Sequence, residues 1–231
     1  MKTFRKLLAA IIIVATTAGI TNAQFQTPQS GGGFTLNFIG ALPVGEFAAN
    51  PPQSGPILLG YPSILTTYGN ASMGAGLGFK ADYHFDFGLG IFISVDAIWN
   101  QLNSTEREKY NQVKKTKPNY INFPILLGAS YKCYFGSFFG LYAEGGAGLG
   151  LMYVTPEGWS DDLTEFRLSN AFAWQAGGGI LLGKHISLGV HYNMLGNHSI
   201  EIKDPSILQT VVLPARKQKV EVLTFKLGLM F

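Results

Sequence analysis

Lys80, Asp82, His84, Asp96, Glu144, Gln175, His191, Asn193 and Lys226 are the polar side chains of this sequence whose types and spacing could do chemistry. Lys80, Asp82 and His84 lie two apart, as do His191 and Asn193. In an extended chain, residues two apart share a face. Carboxylates, ammonium groups and imidazoles would then point into one space, where they could neutralise each other or line a path for water and ions. Nucleophilic catalysis asks for more: a hydroxyl or thiol within reach of a base that a third group orients. His198, Ser199 and Glu201 are close in sequence, but adjacent strand residues point to opposite faces, so that closeness does not assemble them. His185 and Ser187 fall at a short turn. The histidines at 84, 185, 191 and 198 lack the close spacing of a metal site. The expectation is no enzyme, no metal and no cofactor.

The elements that position these residues read as strands. In Ser72–Phe85, Met73, Ala75, Leu77, Phe79, Ala81, Tyr83 and Phe85 alternate with Ser72, Gly74, Gly76, Gly78, Lys80, Asp82 and His84. That is the period-two signal of a strand with two different faces. It recurs over 89–100, 121–132, 186–195 and 222–231, more weakly over 121–132. The polar candidates fall on the face that is small or polar throughout.

The stretch Glu144–Tyr153, EGGAGLGLMY, tests this reading. A phosphate-binding loop would lead from a strand through a Gly-rich turn into a helix, with Lys-Ser/Thr in its nucleoside-triphosphate form. No Lys-Ser/Thr follows, and Gly146, Gly148 and Gly150 keep strict alternation against Ala147, Leu149 and Leu151. The stretch is a strand with one apolar face and one nearly bare face. Bare positions suit the inside of a narrow barrel, whose opposite walls are close.

Adding Phe34–Gly40 and Asn170–Leu182 gives about eight strands, the smallest common membrane barrel. The connections between them are lopsided. His84–Gly88, Tyr134–Phe138 and Gly183–Ile186 are short; Leu42–Ala71, Gln101–Asn119, Val154–Ser169 and Gly196–Lys219 are long. Short and long alternate along the chain, as the periplasmic turns and outer loops of outer-membrane barrels do.

The first 23 residues read as a secretory signal: Lys2, Arg5 and Lys6, then an apolar run from Leu7 to Val14, then Thr21-Asn22-Ala23. The expected domain is 24–231. Those three cations account for the whole formal charge of +3, so the basic balance argues for no nucleic-acid partner. A single cysteine, Cys133, excludes an intrachain disulfide.

The Ala-Gln signal exit, the Leu42-Pro43-Val44-Gly45-Glu46-Phe47 segment and the Tyr120–Leu127 strand together resemble the small outer-membrane β-barrel proteins of Bacteroidetes-type bacteria, with PorT-like relatives that take part in protein secretion. Phe225, Leu227, Leu229 and Phe231 resemble the terminal signal read by the barrel assembly machinery. The resemblance implies an eight-stranded antiparallel up-and-down transmembrane β-barrel in the bacterial outer membrane.

Charges in a narrow lumen are costly unless paired, so Lys80 and Lys226 are expected to neutralise Asp96 and Glu144. The glycines could instead widen the lumen into a conducting path. The loops carry charge in blocks: basic over 106–117, acidic over 157–167, and basic again at Arg216, Lys217 and Lys219. Ile57–Ile64 is apolar and is expected to fold over the barrel mouth. The expected role is structural or surface-interacting. The chain would be a monomer among outer-membrane lipid, its loops touching lipopolysaccharide or a protein partner. A secretion-system component, a lipid-modifying enzyme and a narrow pore stay open as alternatives.

Overall fold

The computed structural model describes residues 25–26, 30–49, 69–102, 119–136, 138–155, 168–200 and 216–231. The expected signal at 1–23, the apolar segment Ile57–Ile64 and the charged blocks at 106–117 and 157–167 lie outside the described residues.

A two-residue strand β1 (Phe25–Gln26) precedes the long strands. These are β2 (Gly31–Val44), β3 (Ala71–His84), β4 (Leu89–Leu102), β5 (Asn119–Phe135), β6 (Phe139–Thr155), β7 (Ser169–Leu182), β8 (Ile186–Ile200) and β9 (Arg216–Met230). One short helix, α1 (Gly45–Ala48), follows β2. Each strand from β2 to β9 pairs antiparallel with the next, and β9 returns to pair with β2. The eight long strands thus close an up-and-down barrel. Closure satisfies every ladder without leaving an edge, which a bilayer requires. The last residue joins the seam, with Phe231 N–H donating to the Phe34 carbonyl at 2.8 Å and Phe34 N–H donating back at 3.1 Å.

The faces are inverted relative to a water-soluble barrel. Phe38, Leu77, Phe79, Ile93, Leu127, Phe172 and Phe225 are exposed on the outside, while Asp96, Asn122, Gln175, His191 and Thr224 are buried inside. So continuous an apolar exterior marks a lipid contact. Trp99, Tyr153 and Trp174 sit on that outer surface near the long-loop end, with Trp174 against Tyr192 at 5.6 Å between ring centroids. Tyr120, close to the same end of its strand, points inward; it is buried and donates its hydroxyl to the Gly69 carbonyl at 2.7 Å.

Two expected boundaries move. The first strand runs from Gly31 to Val44, beyond the expected Phe34–Gly40. Gly31, Gly32 and Gly33 carry no side chains to alternate, yet pair with His84, Tyr83 and Asp82. Pro43 is accommodated because pairing with β3 ends at Ala41, which leaves that side of β2 without a ladder needing its missing N–H. At the other end, β8 and β9 continue into the expected connection 196–219, pairing Asn197 with Lys219 and Ile200 with Arg216. A bulge between Met194 and Gly196 hides this extension, because one extra residue reverses the alternation. Leu195 and His198 are consequently both turned inward and buried.

A closed ladder of this kind resists detergent until heated. The folded chain is expected to migrate differently on a denaturing gel with and without boiling, and identical migration would sink the membrane-barrel reading.

Candidate functional site: the barrel lumen

The lumen has two halves. Near the long loops Ile39, Ala41, Ala71, Ile98, Tyr120, Met152, Val154, Leu195, Val220 and Val222 form one apolar cluster with Phe47, interspersed with the buried side chains of Asn100, Asn122 and His198. Phe47 reaches it from α1 and meets the Tyr120 ring edge-on at 5.1 Å. Its helix is tied down by Gly69 N–H donating to the Glu46 carbonyl at 2.9 Å, so the described base of the first long connection closes over the cluster.

Towards the short turns the lumen is polar and organised in three groups. Lys80 Nζ lies 2.8 Å from Glu144 Oε2, and His191 Nε2 lies 3.0 Å from Glu144 Oε1. Lys80 also stands over the Phe92 and Tyr142 rings, 5.7 and 5.5 Å from their centroids. Lys226 Nζ lies 2.6 Å from Asp96 Oδ2 and 3.5 Å from Gln175 Oε1. Asp82 Oδ2 takes Lys132 Nζ at 2.8 Å and His84 Nδ1 at 2.7 Å. Asn193 stands apart from the charges and donates to Thr224 Oγ1 at 2.9 Å and to the Val222 carbonyl at 3.3 Å.

Inward glycines on β5, β6, β7 and β8 are where these side chains find room. Cβ atoms at Gly146 and Gly128 would stand 3.0 and 2.5 Å from Phe92 Cζ. A Cβ at Gly189 would strike the Tyr142 hydroxyl, and one at Gly177 the His191 ring. The glycines therefore admit Phe92, Tyr142 and His191 to the lumen, where the sequence reading allowed them to widen a channel. Pro124 leaves a comparable trace. The β4–β5 ladder skips from Val95–Ile125 to Ile98–Asn122, around a residue with no N–H to donate.

Ser130 and Lys132 belong to the polar lumen but were not among the sequence candidates. Both sit on the inward register of β5, the strand with the weakest alternation, and that register was the available signal. Lys132 is the inward residue two positions beyond Ser130. The outer-end residues are not assembled: His198 is buried in the lumen, with its Nε2 2.9 Å from the Leu195 carbonyl, while Ser199 faces out. Glu201 lies outside the described residues. No group of acidic, His and Cys residues among the described residues could hold a metal ion.

A closed antiparallel barrel with a lipid-facing apolar exterior and a filled, internally paired lumen defines an outer-membrane β-barrel protein. The family model described as "Outer membrane protein beta-barrel domain" matches residues 10–231, and the chain belongs to that family. Among solved structures it is similar to OprG of Pseudomonas aeruginosa, at 17% identity over 88% of this chain and 97% of that one with a TM-score of 0.47. It is also similar to Ail of Yersinia pestis, at 14% identity over 88% and 100% with a TM-score of 0.46. Outer membrane protein W of E. coli aligns at 16% identity over 88% and 99% with a TM-score of 0.39. No curated protein matches the chain.

Proposed function

We propose that this is a structural, lipid-contacting barrel of the Bacteroidetes-type outer membrane, whose outer rim holds the phosphates of lipopolysaccharide. The observation that carries the reading is the outer extension of β8 and β9 beyond the aromatic girdle. On its outward face Lys217 is exposed, and Lys219 follows two positions nearer the girdle, with Trp174 and Tyr192 beneath. Lys219 Nζ lies 2.9 Å from Glu221 Oε1, and Glu221 also accepts the Tyr192 hydroxyl. These contacts hold one ammonium group at headgroup height beside a second. Ammonium groups there act as point charges towards phosphate. The apolar cluster capped by Phe47 supports a barrel that does not conduct, and neither the rim nor the lumen needs catalysis for this role.

The test is binding of bis-phosphorylated lipid A by the detergent-folded barrel, compared with lipid A stripped of phosphate. Surface cations attract an anionic membrane, and Lys219 is already paired with Glu221, so Lys217→Ala with Lys219→Ala is expected to weaken binding by roughly fivefold, the effect of one unpaired cation. Equal affinity for the two lipids would overturn the reading. A secretion-system role of the PorT kind would show as lost export in a deletion strain whose envelope stays intact.

A further inference from the structure

A cavity of 270 Å³ opens at the short-turn end of the barrel, where the wall is incomplete. The β2–β9 ladder runs down to Thr35 and Met230, and one further exchange of hydrogen bonds joins Phe34 to Phe231. Below that exchange Gly31, Gly32 and Gly33 pair with β3 on one side and with no described strand on the other. Gly32 lies two residues from Phe34, so its N–H and carbonyl face the same open side. Lys184, in the turn between β7 and β8, also lines the cavity.

The cavity joins the two faces of the wall. Phe34 and Phe231 line it and belong to the outer face, where they are 44% and 76% exposed. Asp82, His84 and Lys132 line it from the inner wall, where all three are buried. The way between them passes glycines, and a Cβ at Gly31 would meet no atom within 4 Å. A group held in the membrane can therefore enter sideways, at the height where the short turns meet the headgroups of the periplasmic leaflet.

Inside, donors are left over. Asp82 is already met by Lys132 at 2.8 Å and by His84 at 2.7 Å. Lys184 is exposed and has no partner among the described residues. The Tyr134 hydroxyl, on the same lining, has none either. Lys132 keeps two N–H groups beyond the one given to Asp82. An unpaired ammonium group, spare protons on a second, a hydroxyl and the Gly32 N–H thus surround one space. Their complement is an anion with several acceptor oxygens, and phosphate is the compact example. Outside the gap, Phe34 and Phe79 lie 5.9 Å apart between ring centroids, with exposed Phe38 and Leu227 further along the wall. Apolar chains attached to the phosphate have that surface to follow.

We propose that this gap seats the headgroup of an anionic phospholipid of the periplasmic leaflet, its phosphate between Lys184 and Lys132 and its acyl chains along Phe34 and Phe79. The site lies at the opposite end of the barrel from Lys217 and Lys219. It goes beyond the lipopolysaccharide reading and does not depend on it.

Native mass spectrometry of the detergent-folded full barrel counts the bound lipid. A single dioleoylphosphatidylglycerol is expected to stay bound under conditions that strip dioleoylglycerol, which has the same chains and no phosphate. Lys184→Gln changes only an exposed turn and is expected to weaken binding roughly fivefold, the effect of one unpaired cation near an anionic lipid. Gly33→Leu tests the space. Its Cβ would stand 3.5 Å from Asp82 Oδ1, an ordinary contact, and the rest of the side chain would fill the cavity. That variant is expected to keep the gel shift and lose the lipid; if it does not fold, Lys184→Gln decides alone. Equal retention of the two lipids, or unchanged binding in Lys184→Gln, overturns the proposal. Loss of the lipid in Lys217→Ala with Lys219→Ala but not in Lys184→Gln overturns it too, and moves the lipid to the outer rim. Inorganic phosphate that raises the urea midpoint through Lys184, with no lipid retained, also overturns it and assigns the cavity to a free anion.

Discussion

Lys226→Met is expected to lower the unfolding free energy of the detergent-folded barrel by about 3–5 kcal/mol, the usual cost of leaving one member of a buried ion pair alone. The pair joins β9 to β4, with Lys226 Nζ 2.6 Å from Asp96 Oδ2 and side-chain exposures of 5% and 1%. Asp96 Oδ1 already has no hydrogen-bond partner among the described residues, so losing Lys226 strips the carboxylate of its direct cation. Lys80 cannot take over, because its ammonium group is held by Glu144. The double variant Lys226→Met with Asp96→Leu is expected to recover most of the loss, since replacing both charges by apolar groups of similar size is often neutral. Denaturant titration followed by the gel shift of the unboiled chain measures both. Equal costs for the single and double variants would show that burial of the charge is not what the pair relieves.

The second large effect separates two glycines three residues apart in EGGAGLGLMY. Gly148→Val is expected to cost about 3 kcal/mol, the upper part of the usual range for overpacking, or to prevent folding. Its Cβ would press on the Ile125 carbonyl oxygen, with Leu126 Cα at 3.1 Å. Both obstacles are main chain of the neighbouring strand and cannot rotate away. Gly145 faces lipid, and the nearest atom to its Cβ is the Gln175 carbonyl oxygen at 3.7 Å. Gly145→Val is expected to be neutral or to stabilise by up to about 1 kcal/mol, because a β-branched residue suits an extended backbone better than glycine. The folded fraction on an unboiled gel and the urea midpoint read the contrast. The opposite order would mean that the two faces of β6 are exchanged.

Much of this architecture was legible because its signals are local. Alternation placed Lys80, Asp82, His84, Asp96 and Glu144 on the inward face of β3, β4 and β6 from neighbouring residues alone. The alternation of short and long connections marked the two ends of the barrel. The strand ends were less legible where a local signal is absent or broken. Gly31–Gly33 have no side chains to alternate, and the extra residue at Leu195 shifts the phase that leads to His198.

What the sequence by itself determined is therefore the face of the residues along the regular stretches of strand, the closed antiparallel sheet and its membrane setting. These follow from period-two chemistry and from the demand that every backbone group be bonded in a bilayer. Only the tertiary structure decided which inward residues meet. Lys226 finds Asp96 across 130 positions, Lys80 finds Glu144 across 64 and His84 finds Ser130 across 46. The structure also decided that Phe47 closes the apolar end and that Phe92 fills the space beside the β6 glycines. Those meetings depend on the stagger of one strand against the next and on the width of the closed ring, and no stretch of neighbouring residues encodes either.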